Sequence, residues 1–350
     1  MRREFSGTCS YVRNCWYVAG WDYEVPQDTL FQRTIIEESI LLYRTSSGKV
    51  VALDNKCCHR HAPLSAGRKE EDCVRCMYHG LKYDQEGRCI EIPGQAHIPA
   101  SVRVRSYPVV ERKRWIWIWM GNPEEADPTL IPDTFSLQDP AWRMQPGYLR
   151  YDANHLLIAD NLLDFSHLSY VHEGSLGGTS AIAAARANLE RLPRGVRLTR
   201  RISNSVAAPY HVRLGLPEGV PVDRWWIYDY TVPGILLLDS GVQPTAGPVA
   251  AGLRFHSCQA VTPENGRSTH YFFTQAHGFA LHDAQVTRML FQSVVAAFEE
   301  DRRMIDAQQK LIDTTPGSEM VGLPMDNALA VYRQIYQRML GEETRTASAN

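Results

Sequence analysis

Between Trp16 and Met120, short apolar runs alternate with turn residues. Ile40-Leu41-Leu42-Tyr43 and Val50-Val51-Ala52-Leu53 flank Ser46-Ser47-Gly48, a hairpin signal. Gln85-Glu86-Gly87 separates Leu81-Lys82-Tyr83 from Cys89-Ile90-Glu91-Ile92, and Trp115-Ile116-Trp117-Ile118-Trp119 alternates strictly between two large side-chain types. The pattern predicts a small antiparallel β domain over 11–125. Residues 121–140 are rich in Pro and acids and show no period, which places a linker at 126–141. A second domain is expected over 142–340. It should hold a helical stretch near 155–172, a Gly/Ala-rich loop at 174–187, strands from about 190 to 277 and a long helix from about 284 to 312. A tail follows, polar and frayed over 341–350. On the long helix, Phe291, Val294, Phe298, Ile305 and Ile312 share one face, and Asp301 falls within that stripe towards one edge. Glu299, Glu300, Arg303 and Asp306 are expected to face away.

Length and composition are those of an ordinary two-domain globular chain, and the net charge is −2. No basic run points to nucleic acid or an anionic membrane as partner. The start lacks the apolar core of a secretory signal, and no stretch approaches the roughly 18 apolar residues of a membrane span. Eight Cys in a chain of 350 residues fit a reducing compartment better than a disulfide framework, so a cytoplasmic location is expected. No G-x-G-x-x-G opens a helix after a strand. Reducing equivalents should therefore come from another protein.

Residues 57–79 carry the first candidate chemistry. Cys57-x-His59 and Cys76-x-x-His79 each pair one thiolate with one imidazole. A binuclear iron-sulfur centre with two Cys on one iron and two His on the other needs both kinds. Neutral imidazoles also raise its potential above that of an all-Cys cluster. A structural zinc site is the alternative, although zinc more often takes like pairs. Cys58 is a rival to Cys57, but Cys57 alone has the Cys-x-His spacing.

The run from Asp160 to His172 holds two His amid carboxylates. Fe(II) that must leave positions open is suited by two His and one carboxylate on one face. His167 and His172 lie five residues apart and on a regular helix would point about 140° apart. The helix must then end or bulge between them, and Gly174, Gly177 and Gly178 fit an ending. Asp164 and His167 would share a face. The alternative is that both His are packed or capping residues. Asp301 is the best third ligand, because a carboxylate in an apolar stripe needs a cation or hydrogen bonds to compensate it. A buried salt bridge to an Arg is its alternative, and Asp283 and Asp306 are competitors.

Cys57-x-His59-Arg60, Ala62-Pro63-Leu64-Ser65 and Cys76-x-Tyr78-His79-Gly80 resemble the Rieske motif of the non-haem iron oxygenases, especially the vanillate O-demethylase and toluenesulfonate methyl-monooxygenase group. Cys58 and Met77 depart from that motif, which commonly has Pro there. Asn161-x-x-Asp164-x-x-His167-x-x-Tyr170-Val171-His172 resembles the family's mononuclear-iron motif, and Glu300-Asp301-Arg302 with Gln308-Gln309 resembles its C-terminal ligand helix. The resemblance implies an α+β chain: an antiparallel β Rieske [2Fe-2S] domain, then a helix-grip catalytic domain of antiparallel sheet plus helices. It implies cluster ligands Cys57, His59, Cys76 and His79 and iron ligands His167, His172 and Asp301. Asn161 and Asp164 would be catalytic, Asp164 linking an iron His to a cluster His, His79, of a neighbouring copy in a head-to-tail homotrimer. A respiratory-chain Rieske subunit is disfavoured, since neither a membrane anchor nor a further Cys closely following His61 or Gly80 is present.

The implied reaction is O2-dependent hydroxylation of a methyl or methoxy group on an aromatic acid. Electrons would come from a separate NAD(P)H-dependent flavin/iron-sulfur reductase, with or without a ferredoxin. Trp225, Trp226, Ile227, Leu236 and Phe273 could line a pocket, though such residues are more often core. Arg254, His256 and His277 are candidates for an anionic head group. Rival readings are a ring-hydroxylating dioxygenase, an N-demethylase, and a Rieske electron carrier without catalytic iron.

Overall fold

The structure, a computed structural model, describes residues 10–172, 182, 184–207, 209–246 and 252–349. The glycines Gly174, Gly177 and Gly178 of the expected loop lie outside the described residues. The chain packs as two units. One comprises Arg13–Pro132 with Thr262–Asn265; the other comprises the residues up to Val12, Asp133–Val261 and Gly266–Asn350.

The first unit is built from three small antiparallel sheets. In one, β11 (Trp115–Trp119) lies between β1 (Trp16–Trp21) and β10 (Val109–Arg112). Both of its edges are hydrogen-bonded and all five Trp-Ile-Trp-Ile-Trp residues are buried, so the alternation in this strand distributes bulk between two covered faces. The second sheet orders β2 (Phe31–Ile35), β3 (Glu38–Arg44), β4 (Val50–Asp54) and β9 (Ser106–Tyr107). Its β3–β4 hairpin turns at Gly48, whose φ of +84° suits a residue without Cβ. The third orders β5 (Arg68–Glu70), β6 (Cys73–Arg75), β7 (Lys82–Tyr83) and β8 (Cys89–Glu91). Residues 57–62 precede β5, and residues 76–81 join β6 to β7.

The second unit is one twisted antiparallel sheet with helices. The order is β12 (Gly147–Tyr151), β18 (Ser268–Phe273), β17 (Leu253–Asn265), β16 (Ile235–Pro244), β15 (Val222–Thr231), β14 (Gly195–Ser205) and β13 (Asn188–Leu192), with β19 (Ala276–His277) pairing β17. Its helices are α1 (His155–Leu163), α2 (Pro209–Arg213), α3 (Ala284–Thr314) and α4 (Asn327–Ala349). The long predicted helix is α3. It lies along β12: Tyr151 donates its hydroxyl to the Phe298 carbonyl at 3.2 Å, and Asp306 accepts from the Asp152 amide at 3.0 Å. Asp306, expected to face away, is therefore buried, because that amide and Arg302 give its carboxylate partners inside.

The expected tail is a second correction. Ala328, Leu329, Tyr332, Ile335, Tyr336 and Met339 are all buried, a helical period that packs α4 against the sheet, with Tyr332 edge-on to Tyr230 at 4.9 Å. Where a tail was expected, the helix continues to Ala349. No described helix is long and apolar enough to cross a membrane.

Candidate metal centres

The two loops of the first unit have the same backbone geometry. The Cys57 amide donates to the Ala62 carbonyl and the Cys57 carbonyl accepts from His61, both at 2.9 Å. Cys76 repeats both bonds with Leu81 and Gly80, at 2.8 and 2.9 Å. The chain reverses through a left-handed residue at the same step, His61 (φ +56°) in one loop and Gly80 (φ +80°) in the other. A Cβ at Gly80 would sit 2.6 Å from the Pro93 ring, so this turn has no room for a side chain. Cys57 and Cys76 are buried and their thiols reach one another, while His59 and His79 are exposed with ring centroids 4.5 Å apart. Burial pushes the Cys76 thiol up, whereas the amides of Tyr78 and His79 pull it down by donating to sulfur. A buried sulfur pair and an outward nitrogen pair form the donor set that a Rieske cluster needs. Cys58 is exposed, although its sulfur lies 3.3 Å from the Tyr83 hydroxyl that also meets Cys57.

In the second unit, α1 stops one turn earlier than expected. Asp164 is extended (φ −122°, ψ 102°), and its carboxylate caps the short 3-10 turn Phe165–Ser169 by accepting from the Ser166 amide at 2.8 Å and its hydroxyl at 2.6 Å. The break therefore precedes His167 and does not fall between the two histidines. Asp164 and His167 share a turn, not a helical face. The Asp164 carbonyl accepts from His167 Nδ1.

This geometry brings His167, His172 and Asp301 together, with ligand atoms all within 4.8 Å of one another. His172 Nε2 lies 3.2 Å and His167 Nε2 3.6 Å from the Asp301 carboxylate. Each imidazole has its other nitrogen committed: His167 to the Asp164 carbonyl, His172 Nδ1 to Glu300 Oε2 at 2.8 Å. Nδ1 is thereby the donor to an oxygen in both rings, which turns each Nε2 toward Asp301. Burial lowers the His167 pKa, which favours the neutral ring. Burial also opposes protonation of His172, but Asp301 and Glu300 outweigh it and raise that pKa. Asn161 donates Nδ2 to Asp301 Oδ1 at 2.9 Å. Among the described residues no Arg pairs with Asp301. Asp283 caps α3 and Asp306 binds Arg302, which leaves both competitors outside the triad. Two imidazoles and one carboxylate on one side of an open space suit a six-coordinate ferrous ion. Glu300, expected to face away, is the group that sequence reasoning missed; it sits beside Asp301 on the helix and reaches His172 from the stripe's edge.

The triad and Asn161 form part of the wall of a cavity of about 140 Å³. Trp226 and Leu236 line it as expected; Trp225, Ile227 and Phe273 do not. Trp225 has the opposite parity on β15 and donates to Asp239 at 2.8 Å. The three head-group candidates also lie elsewhere. Arg254 pairs with Asp239 at 2.8 Å and is largely exposed. His256 is buried beside Phe135 and Trp142, with Nδ1 2.7 Å from Ser136 Oγ, and burial takes its pKa down to about 4. His277 engages the Phe279 carbonyl at 2.6 Å and Thr287 Oγ1 at 2.8 Å. On β17 it is Phe255 and Gln259, of the other parity, that line the cavity, together with Arg224 from β15.

Residues 15–108 match the Rieske [2Fe-2S] domain, and residues 151–342 match the vanillate O-demethylase oxygenase C-terminal domain. The toluene-4-sulfonate monooxygenase system iron-sulfur subunit of Comamonas testosteroni is 46% identical over 342 residues, spanning 95% of this chain and 98% of that protein. The dicamba O-demethylase oxygenase component of Stenotrophomonas maltophilia is 34% identical, across 86% of this chain and 89% of its own. A crystal structure of dicamba monooxygenase with non-heme iron and dicamba superposes with a TM-score of 0.82 at 30% identity, over 97% of this chain and 100% of that one. These matches set aside the zinc alternative, and the cofactors are a Rieske [2Fe-2S] cluster and a mononuclear iron. The chain belongs to the Rieske non-haem iron oxygenases, in the group whose catalytic domain is that of the vanillate O-demethylase oxygenase.

Proposed function

We propose that this chain is the oxygenase component of a monooxygenase that hydroxylates a methyl or methoxy carbon of an aromatic acid. The relatives named for toluene-4-sulfonate and dicamba support this substrate class. Cys57, His59, Cys76 and His79 hold the cluster, and His167, His172 and Asp301 hold the iron. Bound there, the two centres supply electron transfer and O2 activation. Asn161 keeps the Asp301 carboxylate oriented, and Glu300 and the Asp164 carbonyl keep both imidazoles in the ligating tautomer. Phe165, Trp226, Leu236 and Phe255 exclude water from the cavity, and the three aromatic rings offer flat faces to an arene.

In the same reading the chain works in the cytoplasm as a head-to-tail homotrimer. Asp164 links the iron site of one copy to a cluster histidine of the next, and a separate reductase, with or without a ferredoxin, feeds the cluster.

The observation that carries the reading is the metal triad opening onto an apolar, aromatic-walled cavity. The test is a substrate screen on the reconstituted holoenzyme with a surrogate reductase, scoring formaldehyde and hydroxylated products. With a methyl substrate and labelled O2, one labelled atom in the alcohol is expected. A diol with two labelled atoms, or no O2-dependent product from methyl or methoxy arenes, overturns it.

A further inference from the structure

Arg224 is 4% exposed, yet among the described residues no carboxylate pairs with it. Two other buried or partly buried cations here have carboxylates, Arg33 with Glu24 and Arg333 with Asp160, both at 2.8 Å, while Arg200 meets a neutral oxygen, the Ile182 carbonyl, at 2.6 Å. Arg224 instead lies over the Trp226 ring, 4.8 Å from its centroid, and donates to the Tyr210 hydroxyl. Neither contact neutralises it. A buried guanidinium without a counter-charge is costly, and the cost is offset when an anion arrives.

The position of Arg224 gives that anion an address. Arg224, Tyr210 and Trp226 all line the cavity that His167, His172 and Asp301 also line. Among the described lining residues Arg224 alone has a fixed positive charge. The neighbouring His211 is buried, and burial with the Arg224 charge takes its pKa down to about 3, so it adds no second cation. On β15, Tyr228 stacks on Phe165 at 4.4 Å, in the turn that carries His167, and Arg224 is two same-face steps further along the strand. The metal end and the cationic end are thus separated along one apolar wall. With its oxygen accepting from Arg224, the Tyr210 hydroxyl keeps its own proton available for donation.

We propose that Arg224, assisted by the Tyr210 hydroxyl, binds the oxyanion of the substrate, a sulfonate or carboxylate borne on the arene, and so sets the choice of substrate. This rests on the aromatic-acid reading above. The planar fork of Arg can take two oxygens of either group at once. Trp226, beneath the guanidinium, also offers a face beside the ring that bears the anion.

The test uses holoenzyme of wild type, Arg224→Met, Arg224→Lys and Tyr210→Phe, with the visible cluster spectrum and iron content as checks of integrity. The probes are 4-methylbenzenesulfonate, 4-methoxybenzoate and the neutral 4-methylanisole. Affinity is measured anaerobically by calorimetry, and kcat and KM by product formation. Arg224→Met should weaken both oxyanions ~10- to 100-fold. The neutral arene should lose far less, so that the ratio of affinities collapses, and Arg224→Lys should recover part of it. Tyr210→Phe should lower oxyanion affinity less than Arg224→Met, and it carries the test with Arg224→Lys if Arg224→Met fails to fold. Equal losses for charged and neutral probes, or unchanged oxyanion affinity, overturn the proposal. If that occurs while wild type still releases formaldehyde from 4-methoxybenzoate, the anchor is wrong and the reaction stands. If wild type binds oxyanions through Arg224 but oxidises no methyl or methoxy arene, the reaction falls and the anchor stands.

Discussion

His172 donates Nδ1–H to Glu300 Oε2 at 2.8 Å while its Nε2 faces Asp301 at 3.2 Å. Glu300 and Asp301 are adjacent on α3, so one helical turn supplies both the carboxylate of the proposed iron triad and the group that orients one of its imidazoles. Groups that orient ligating imidazoles typically matter ~10- to 100-fold for metal affinity. Glu300→Ala should therefore release the mononuclear iron to a chelator about that much more readily than wild type does. Glu300→Gln, which still accepts a hydrogen bond, should fall between them. Iron retention after competition, with the visible cluster absorbance as internal standard, measures this. An unchanged iron content in Glu300→Ala would contradict the role.

Fully loaded wild type should contain about three irons and about two inorganic sulfides per chain. His167→Ala and Asp301→Asn should each lose about one iron while the visible and EPR signatures of the cluster persist, because the cluster loops belong to the other unit. Turnover should vanish in both. Bleaching of the cluster in His167→Ala would place His167 at the wrong centre.

Much of this arrangement was legible in the residues. The mixed Cys-x-His and Cys-x-x-His spacing located both cluster loops, and Asp301 in an apolar stripe pointed to a buried carboxylate needing partners. What escaped was set by local details that period and composition do not resolve. Asp164 caps the next turn and so moves the helix end ahead of His167. The head-group candidates failed by strand parity: Arg254 and His256 turn away from the cavity while Phe255 and Arg224 line it. On β15 the buried positions Val222, Arg224, Tyr228 and Tyr230 have one parity, so an Arg among inward residues was the available signal. The helical period in α4 was present too, but a polar end masked it.

Three histidines of the second unit should make the fold acid-sensitive. Burial takes the pKa of His155 down to about 3, with the charge of Arg333 adding to it. Burial likewise takes His211 to about 3 and His256 to about 4. All three are at most 5% exposed. In the unfolded chain each titrates near the ordinary 6.5. Between about pH 4 and pH 6.5 the unfolded state therefore holds protons that the native state does not, and stability present above pH 6.5 is lost as pH falls. Each group contributes a slope approaching about 1.4 kcal/mol per pH unit within that window. Urea midpoints measured across it should fall on acidification. His155→Leu and His256→Gln should each flatten the dependence by about one proton, and an unchanged slope in both would refute this account.

The thiols of Cys57 and Cys76 reach one another below the exposed imidazoles, while Cys58, one residue on, is exposed. Tyr83 touches both members of the dipeptide, its hydroxyl 3.1 Å from Cys57 Sγ and 3.3 Å from Cys58 Sγ. A single O–H can donate to one sulfur at a time, so Cys57 and Cys58 compete for this hydrogen bond. Cys58→Ser should therefore assemble a full cluster with its visible spectrum intact, whereas Cys57→Ser should lose it, even with Cys58 available next door. Tyr83→Phe should keep the cluster but lower its reduction potential, since a hydrogen bond to a ligand sulfur stabilises the more electron-rich reduced state. Spectroelectrochemical titration of these three variants separates the roles. A bleached Cys58→Ser beside a coloured Cys57→Ser would exchange the ligand assignment.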